Sequence, residues 1–242
     1  VVLTEDGLLF KRRAQEIVAL SEKTKRDFIR GNRELSGEIG IGCGEFRSIQ
    51  IIAQIMKEFK KEHPFVTFQI YSGNSSNIKE RIESGILDIG VILDYVDIRK
   101  YEYVRIPLSE EWGVLVREDS PLAAMEYVTP EDIRELPLII SERSMRDNEL
   151  ADWIGKKYED LNIVSTYNLM YNAAIMVANG MGVAGCIKLD CRYEGTRFVP
   201  ARPSVKNNSV FAWKKALSQS QAVSSFIEFS RIYIKRISSN TT

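Results

Sequence analysis

The chain has 242 residues, of which 44% are hydrophobic, so it is long enough for one large domain or two lobes of about 100 residues each. Its 33 basic and 33 acidic residues balance, which excludes the overall positive field that would draw a protein onto nucleic acid unaided. Cys43, Cys186 and Cys191 show no CxxC spacing, and the single His63 cannot complete a zinc site with them. We therefore expect no metal, no cofactor and a reducing compartment.

Neither a membrane span nor a signal segment is expected. The sequence contains no run of about 18 apolar residues, the length needed to cross a bilayer. The first residues, VVLTEDG, do not show a charged region followed by an apolar one. The sequence therefore predicts a cytoplasmic protein.

A long helix is predicted at the N-terminus. Thr4 is a typical helix cap, and Glu5 and Asp6 place negative charge in the first turn. A weak heptad stripe follows at Phe10, Ala14, Ile17, Ser21, Thr24 and Phe28. Because a helix with so narrow a stripe cannot form a core by itself, we expect it to pair with a helix from a second copy. The alternative is that it packs on the chain's own domain. Gly31 and Asn32 are expected to end the helix.

Beyond this helix the apolar period switches repeatedly between the values typical of strands and of helices. Strands are predicted at 39–43, 66–71, 88–93, 112–116, 136–141, 162–168, 182–187 and 209–215. Helices are predicted at 46–62, 75–85, 129–136, 146–158, 172–180 and in the last segment up to Ile237. The alternation predicts an α/β fold with a mostly parallel sheet.

Two connections in this pattern are candidate ligand contacts. Ser75 and Ser76 open a helix whose first N–H groups and positive dipole end suit a carboxylate or another anion. One serine is also expected to cap that helix. The second connection is CGEFRS, in which Gly44 permits close approach of the backbone. In α/β lobes such strand ends and helix starts line the ligand crevice.

Several segments, in this order, resemble LysR-type transcriptional regulators. They are LTEDGLLF, GEIGIG, EFKKEHPFVTFQIYSGNSSNIKERIESGILDIGVI, LPLII, MVANGMGVA and VFAWKK. The resemblance covers essentially the whole chain, and its most specific parts are the segment 73–88 and the glycines of NGMG. In that family the pattern V-x-L-T-x-x-G ends a winged helix-turn-helix. The resemblance therefore implies a chain that starts at the last wing strand and lacks the DNA-binding end.

The resemblance also implies a periplasmic-binding-protein-like (type II) fold, with two subdomains, central mixed sheets and a preceding linker helix. Residues 1–33 would be the wing end and linker, 36–110 plus 201–242 subdomain I, and 111–200 subdomain II. The helix 46–62 would pair with subdomain II of a second copy in an antiparallel dimer. Its predicted interface residues are Ile49, Ile52, Met56 and Phe59, on a stripe wider than one core contact needs. The alternative is a helix buried on two sides within its own chain.

In such regulators a small effector lies between the subdomains. The contacts carried over to this chain are Gly44, Glu45, Phe46, Arg47, Ser75, Ser76, Ser141, Glu142, Arg143, Asn168 and Asn172. Glu45 beside Arg47 would suit an anionic or zwitterionic effector such as an amino acid. The alternative is that the two are solvated charges or a weak mutual ion pair. Three segments depart from the family pattern: the charged loop with Glu45 and Arg47, Ile52-Ala53, and VAGCIKL. The charged loop leaves the identity of the effector undetermined.

The sequence thus predicts the effector-sensing and oligomerisation domain of a LysR-type regulator, and not an enzyme. No second histidine exists to activate Cys43, and His63 lies at a helix end. Cys186 and Cys191 are expected to be buried rather than redox-active. The expected partners are a small effector, further copies of the chain in a homodimer or homotetramer, and promoter DNA through the missing N-terminal domain, with no membrane. The alternative is an extracytoplasmic solute-binding protein, which shares the architecture.

Overall fold

The computed structural model describes residues 3–28, 35–93, 99–142, 149–215 and 219–239. The α-helices are α1 (Glu5–Phe28), α2 (Ile49–Glu62), α3 (Ser75–Glu83), α4 (Pro130–Ile133), α5 (Glu149–Ile154), α6 (Met170–Ala178) and α7 (Gln221–Ser239). The strands are β1 (Gly37–Cys43), β2 (Val66–Ser72), β3 (Ile89–Leu93), β4 (Tyr101–Arg117), β5 (Leu138–Ser141), β6 (Ile163–Tyr167), β7 (Val183–Ile187), β8 (Thr196–Pro200) and β9 (Lys206–Lys214). Short 3-10 helices lie at Pro121–Ala124 and Tyr158–Asp160.

The described residues form two compact units. Unit 1 takes its residues from Val1–Gly44, Ile49–Pro107 and Val210–Thr242, and unit 2 from Glu45–Ser48 and Leu108–Ser209. The chain therefore passes from one unit to the other within β4 and within β9. Segment 45–48 belongs to unit 2 although the chain on both sides of it belongs to unit 1.

Unit 1 is built on parallel strands, as the sequence predicts. Strand β1 pairs with β2 along its whole length and with β3 over three residues, in the order β2-β1-β3-β9. Every residue of β3 is buried, which is typical of a central strand covered on both faces. Phe59 of α2 meets Phe226 of α7 edge-on with ring centroids 5.1 Å apart. This aromatic contact joins the two helices in the core of the unit.

Unit 2 contains a mixed sheet. Strand β4 is antiparallel to β7 and β8, whereas β5 is parallel to β6 and β7. Successive residues of a strand point to opposite faces, so Val114 and Val116 enter one hydrophobic core and Leu115 enters another. The second core lies under α6, which contributes Met170 and Val177. Mixed pairing confirms the predicted fold class.

Two strands depart from the sequence-based expectation. Strand β4 begins at Tyr101, eleven residues before the predicted 112–116, and β8 was not predicted at all. Both have polar residues at exposed positions, so the apolar alternation that indicates a strand is weak there. Helix α2 begins at Ile49 rather than Phe46, because the preceding residues bind to unit 2. Of the predicted helix 146–158, the described part is α5 and the following 3-10 turn.

Helix α1 confirms its predicted cap and leaves its apolar stripe open. The hydroxyl of Thr4 accepts the N–H of Gly7 at 3.1 Å. Phe10 is 76% exposed and Ile17 is 68% exposed. The predicted end of the helix at Gly31 and Asn32 lies outside the described residues. Among the described helices, none combines the length and the hydropathy needed to cross a bilayer.

Candidate functional site

In unit 1, Gly44 and the start of α3 follow the carboxyl ends of neighbouring parallel strands. The register pairs Cys43 with Ser72, and Gly73 donates its N–H to the carbonyl of Cys43 at 3.1 Å. Both predicted contact regions of this unit therefore lie at one edge of its sheet. The carboxyl edge of parallel strands is the edge at which α/β sheets bind ligands.

The cap of α3 differs from the prediction. Asn74 caps the helix, because its side-chain oxygen accepts the N–H of Asn77 at 3.0 Å. The expectation that a serine does so is wrong, and asparagine is among the best capping residues. Ser75 is 8% exposed, and Ser76 is exposed. Their N–H groups belong to the first turn, where an α-helix offers no internal acceptor, so this end of α3 suits an anion.

In unit 2 the predicted contacts also gather at the carboxyl ends of parallel strands. The last residue of β5, Ser141, is paired with Tyr167, the last residue of β6, so Asn168 follows at the same edge. Asn168, Asn172 and Glu142 are exposed, and Ser141 is half-buried. The predicted contact Arg143 and its neighbours up to residue 148 lie outside the described residues.

Glu45 lies against the start of α6. Its Oε2 accepts the N–H of Met170, the first helical residue, at 2.6 Å. The preceding residue, Leu169, has no side chain that could cap the helix. Glu45 therefore caps α6 from a distant point in the sequence and places a negative charge at the positive end of the helix dipole.

Arg47 and its neighbour Ser48 are held by two further acids. The Nε of Arg47 donates to Oδ1 of Asp190 at 2.9 Å. The backbone N–H of Arg47 donates to Oε2 of Glu110 at 3.2 Å, and that of Ser48 to Oε1 at 3.0 Å. Glu110 is 1% exposed, so these two amides solvate a buried carboxylate. The side chains of Asp190 and Glu110 thus help to fix segment 45–48 within unit 2.

These contacts correct the expectations for the charged loop. Among the described residues, Glu45 bonds to a helix and Arg47 to Asp190, and the two do not pair with each other. The alternative of a mutual ion pair is therefore wrong. Phe46 between them is 9% exposed. The sequence does not predict the roles of Glu110 and Asp190, because Glu110 is the first of two adjacent glutamates before the apolar run WGVLV and nothing local distinguishes it from Glu111.

The cysteines divide into two buried thiols and one exposed thiol. Cys43 and Cys186 are buried, and burial raises the pKa of Cys186 to about 12. Cys191 is exposed, so the expectation that it is buried is wrong. The buried Asp88 accepts the N–H of Gly40 at 2.8 Å, which gives it a structural role at the start of β3. In the part of the chain that the structure describes, no three acidic, histidine or cysteine side chains are grouped as metal ligands.

The four predicted interface residues of α2 occupy two environments. Ile52 is 0% exposed and Phe59 is 1% exposed, so both pack within unit 1. Ile49 and Met56 are partly exposed. Of these four residues, only Ile49 and Met56 therefore leave apolar surface uncovered in this chain.

Solved structures identify the fold of this protein. The effector-binding domain of QuiR, solved in complex with shikimate, superposes with a TM-score of 0.72 at 18% identity, covering 84% of this chain and 99% of that one. CbnR, a LysR family transcriptional regulator, gives a TM-score of 0.73 at 16% identity over 97% of this chain and 84% of that one. The chain therefore has the periplasmic-binding-protein-like (type II) fold of effector-binding domains.

The sequence comparison identifies the family. The model of the LysR substrate binding domain matches residues 32–233, and the chain belongs to that family. It is 33% identical over 159 residues to YwqM, an uncharacterized HTH-type transcriptional regulator of Bacillus subtilis, and 25% identical over 185 residues to the similarly described YfeR of Shigella flexneri. These matches cover 63% and 76% of this chain. The chain spans 54% and 60% of the length of these relatives.

Proposed function

We propose that this domain senses a small anionic or zwitterionic effector for a DNA-binding transcriptional regulator. The family match and the relatives described as HTH-type regulators support a regulator, and they give no support to a solute-binding protein. A regulatory role requires no catalytic group, and the relatives are regulators rather than enzymes. The effector would shift the population of two conformations, and the shift would reach the DNA-binding part of the full-length protein.

One observation carries the effector proposal. In each unit, the predicted contacts that the structure describes follow the carboxyl ends of parallel strands. In unit 1 this edge includes the first turn of α3, with the small, buried Ser75 beside free helix N–H groups. We propose Ser75 and Ser76, with Gly44, as effector contacts of unit 1, and Ser141, Glu142, Arg143, Asn168 and Asn172 as those of unit 2. Glu45 and Arg47 would shape the site through their bonds to Met170 and Asp190, with Phe46 between them.

A thermal-shift panel of small carboxylates and amino acids tests this proposal. A ligand at one hundred times its Kd stabilises a protein by about 2.7 kcal/mol, which gives a readily measured rise in Tm. Ser75→Ala should reduce the shift of every hit, whereas Ser224→Ala, an exposed position on α7, should not. If no compound of either class stabilises the domain, or if Ser75→Ala leaves each shift unchanged, this effector assignment is wrong.

We also propose that the chain associates with a second copy through α1 and the outer face of α2. The apolar residues of α1 are exposed, and Ile49 and Met56 leave part of α2 uncovered. Ile52 and Phe59 would support this surface from within the core.

DNA binding belongs to the full-length protein and is tested by a gel-shift assay on the promoter of its own gene; no shift at any protein concentration would contradict it.

A further inference from the structure

Unit 2 contains a cavity that the proposed effector contacts do not use. It has a volume of about 850 Å³ and lies between β4, β8, the start of α6 and the loop 188–195. None of the predicted effector contacts that the structure describes lines it. The cavity has room for a single amino acid, and its volume falls within the size range of ligand pockets.

The floor of the cavity is apolar. Leu115, Met170 and Cys186 reach it from the second hydrophobic core of unit 2, and Phe198 packs against that core. The thioether of Met170 and the thiol of Cys186 are soft, polarisable groups that make favourable contacts with aromatic rings. Burial, together with a hydrogen bond to Cys191, raises the pKa of Tyr193, so this wall residue stays a neutral phenol. The floor therefore suits an apolar or aromatic side chain.

The wall of the cavity also carries charges of both signs. Arg192, Glu118 and Glu194 are exposed lining residues. Lys188 already pairs with Glu111 at 3.2 Å, whereas within the described residues the side chains of Arg192, Glu118 and Glu194 form no ion pair. A ligand with one positive and one negative group can use both kinds of charge, whereas a singly charged ligand would meet repulsion from one of them.

We propose that this cavity is a second ligand site, which binds an amino acid with an apolar or aromatic side chain. The side chain occupies the floor, the carboxylate faces Arg192, and the ammonium faces Glu118 and Glu194. The site is independent of the proposed effector function and requires no DNA and no second copy. The zwitterion chemistry that the sequence suggested for Glu45 and Arg47 is thus available here, where the charges are not already bonded.

Two parts of the cavity wall are also hydrogen-bonded to segment 45–48. Met170 lines the cavity, and its N–H is held by Glu45. Asp190 lies between the lining residues Leu189 and Cys191 and holds Arg47. A ligand that moves the start of α6 or the loop 188–195 would therefore act on the bonds that fix this segment to unit 2.

Cys191 provides a reporter for the test. It lines the cavity and is exposed, whereas Cys43 and Cys186 are buried, so N-ethylmaleimide should modify Cys191 first. We would measure its rate of modification by mass spectrometry with L-phenylalanine, phenylpropionate or phenethylamine present. All three compounds share the aromatic ring. L-Phenylalanine carries both charges, phenylpropionate only the negative charge, and phenethylamine only the positive charge. Isothermal titration calorimetry with the same three compounds gives a second, reagent-free measure of binding.

L-Phenylalanine should protect Cys191 and bind more tightly than either singly charged compound. Arg192→Gln should weaken the binding of L-phenylalanine about fivefold and leave the binding of phenethylamine unchanged. The double variant Glu118→Gln/Glu194→Gln should weaken the binding of L-phenylalanine by a similar factor. Lys235→Gln, on the exposed surface of α7, should change neither.

Three outcomes would overturn the proposal. They are no binding of L-phenylalanine by either measurement at millimolar concentration, equal binding of all three compounds, and loss of protection in Ser75→Ala. The last result would place the ligand at the proposed effector contacts instead. Because Ser75 lies outside the cavity, failure of this proposal and failure of the effector proposal give different results.

Discussion

At the scale of single residues, Glu83 at the end of α3 shows how a surface acid can tie distant segments together. Its carboxylate pairs with Lys214 Nζ at 2.7 Å and accepts the hydroxyl of Tyr101 at 3.0 Å. The hydrogen bond from Lys214 lowers the pKa of Glu83, and burial opposes this only in part. Burial, together with the hydrogen bond that it donates to Glu83, raises the pKa of Tyr101. Glu83 therefore joins α3 to β4 and β9 within unit 1.

The lowered pKa predicts a dependence of stability on pH. The folded state holds Glu83 ionised to a lower pH than the unfolded chain, whose glutamates titrate near about 4.3. The contribution of Glu83 is thus fully present above that value and is lost as the pH falls through the lower, folded pKa. Urea unfolding at neutral pH and near pH 3 should show that Glu83→Gln costs stability only at the higher pH. An equal cost at both pH values would exclude this linkage.

Residues of this kind mark the limit of what the sequence could predict. The cap at Thr4 acts three residues away, so its hydroxyl could be recognised from the local pattern. The bond between Arg47 and Asp190 spans 143 positions, and that between Arg47 and Glu110 spans 63. No local pattern contains such partners. The sequence therefore directed attention to the charged loop, but it could not show which distant residues its side chains and N–H groups bond to.

At the scale of elements, Glu110 of β4 holds the chain segment that directly precedes α2. Each of its oxygens accepts one backbone N–H from segment 45–48, and the side chain is buried. The segment directly precedes Ile49, the first residue of α2. Glu110 thus supplies the acceptors for the two backbone N–H groups that directly precede α2.

Glu110→Gln should lower the free energy of unfolding by about 1–3 kcal/mol. Glutamine supplies a single oxygen, so its amide group would face the N–H of Arg47 or Ser48 and leave a buried donor unsatisfied. The neighbouring Glu111→Gln is a matched control, because Glu111 forms a partly exposed pair with Lys188 and its loss should cost less than about 1 kcal/mol. Equal midpoints in urea for the two variants would refute the buried role of Glu110.

The unpredicted strand β8 leads to a second prediction at this scale. Gly113 of β4 is paired with Pro200, and a Cβ added at Gly113 would lie 2.3 Å from the carbonyl oxygen of Val199. No side chain fits there without moving the backbone of β8. The sequence shows the apolar run of β4, but it does not show that another strand lies so close to its glycine.

Gly113→Ala should therefore destabilise unit 2 by about 1–3 kcal/mol or more, as overpacking does. Gly185→Ala in β7 is the control, since its Cβ would meet side chains rather than backbone, the ring of Trp112 at 3.2 Å and Leu150 at 3.7 Å. The control should lose less stability in thermal or urea unfolding. A variant with alanine at 113 that unfolds like the wild-type chain would show that β8 does not lie against β4 at this point.

At the scale of the whole molecule, α1 differs from every element that builds the two cores. Over its 24 residues, the large apolar side chains Leu8, Leu9, Phe10, Ile17 and Val18 are each more than half exposed. Its contact with α3 includes an exposed ion pair between Arg12 and Glu80 at 3.7 Å, an interaction worth little in water. Exposed apolar surface of this kind is typical of protein–protein interaction sites, which supports the proposed association of α1 with a second copy.

The exposed helix predicts that the mass in solution depends on two of its side chains. Sedimentation equilibrium should show a dimer or larger assembly for the wild-type chain, and Phe10→Ser/Ile17→Ser should shift it towards the monomer. Stability at low protein concentration should change by less than about 0.5 kcal/mol, because neither side chain is buried in its own chain. Lys11→Ser/Gln15→Ser alters exposed polar positions of the same helix and should leave the mass unchanged. A wild-type monomer at tens of micromolar, or equal masses for both double variants, would show that α1 does not join the copies.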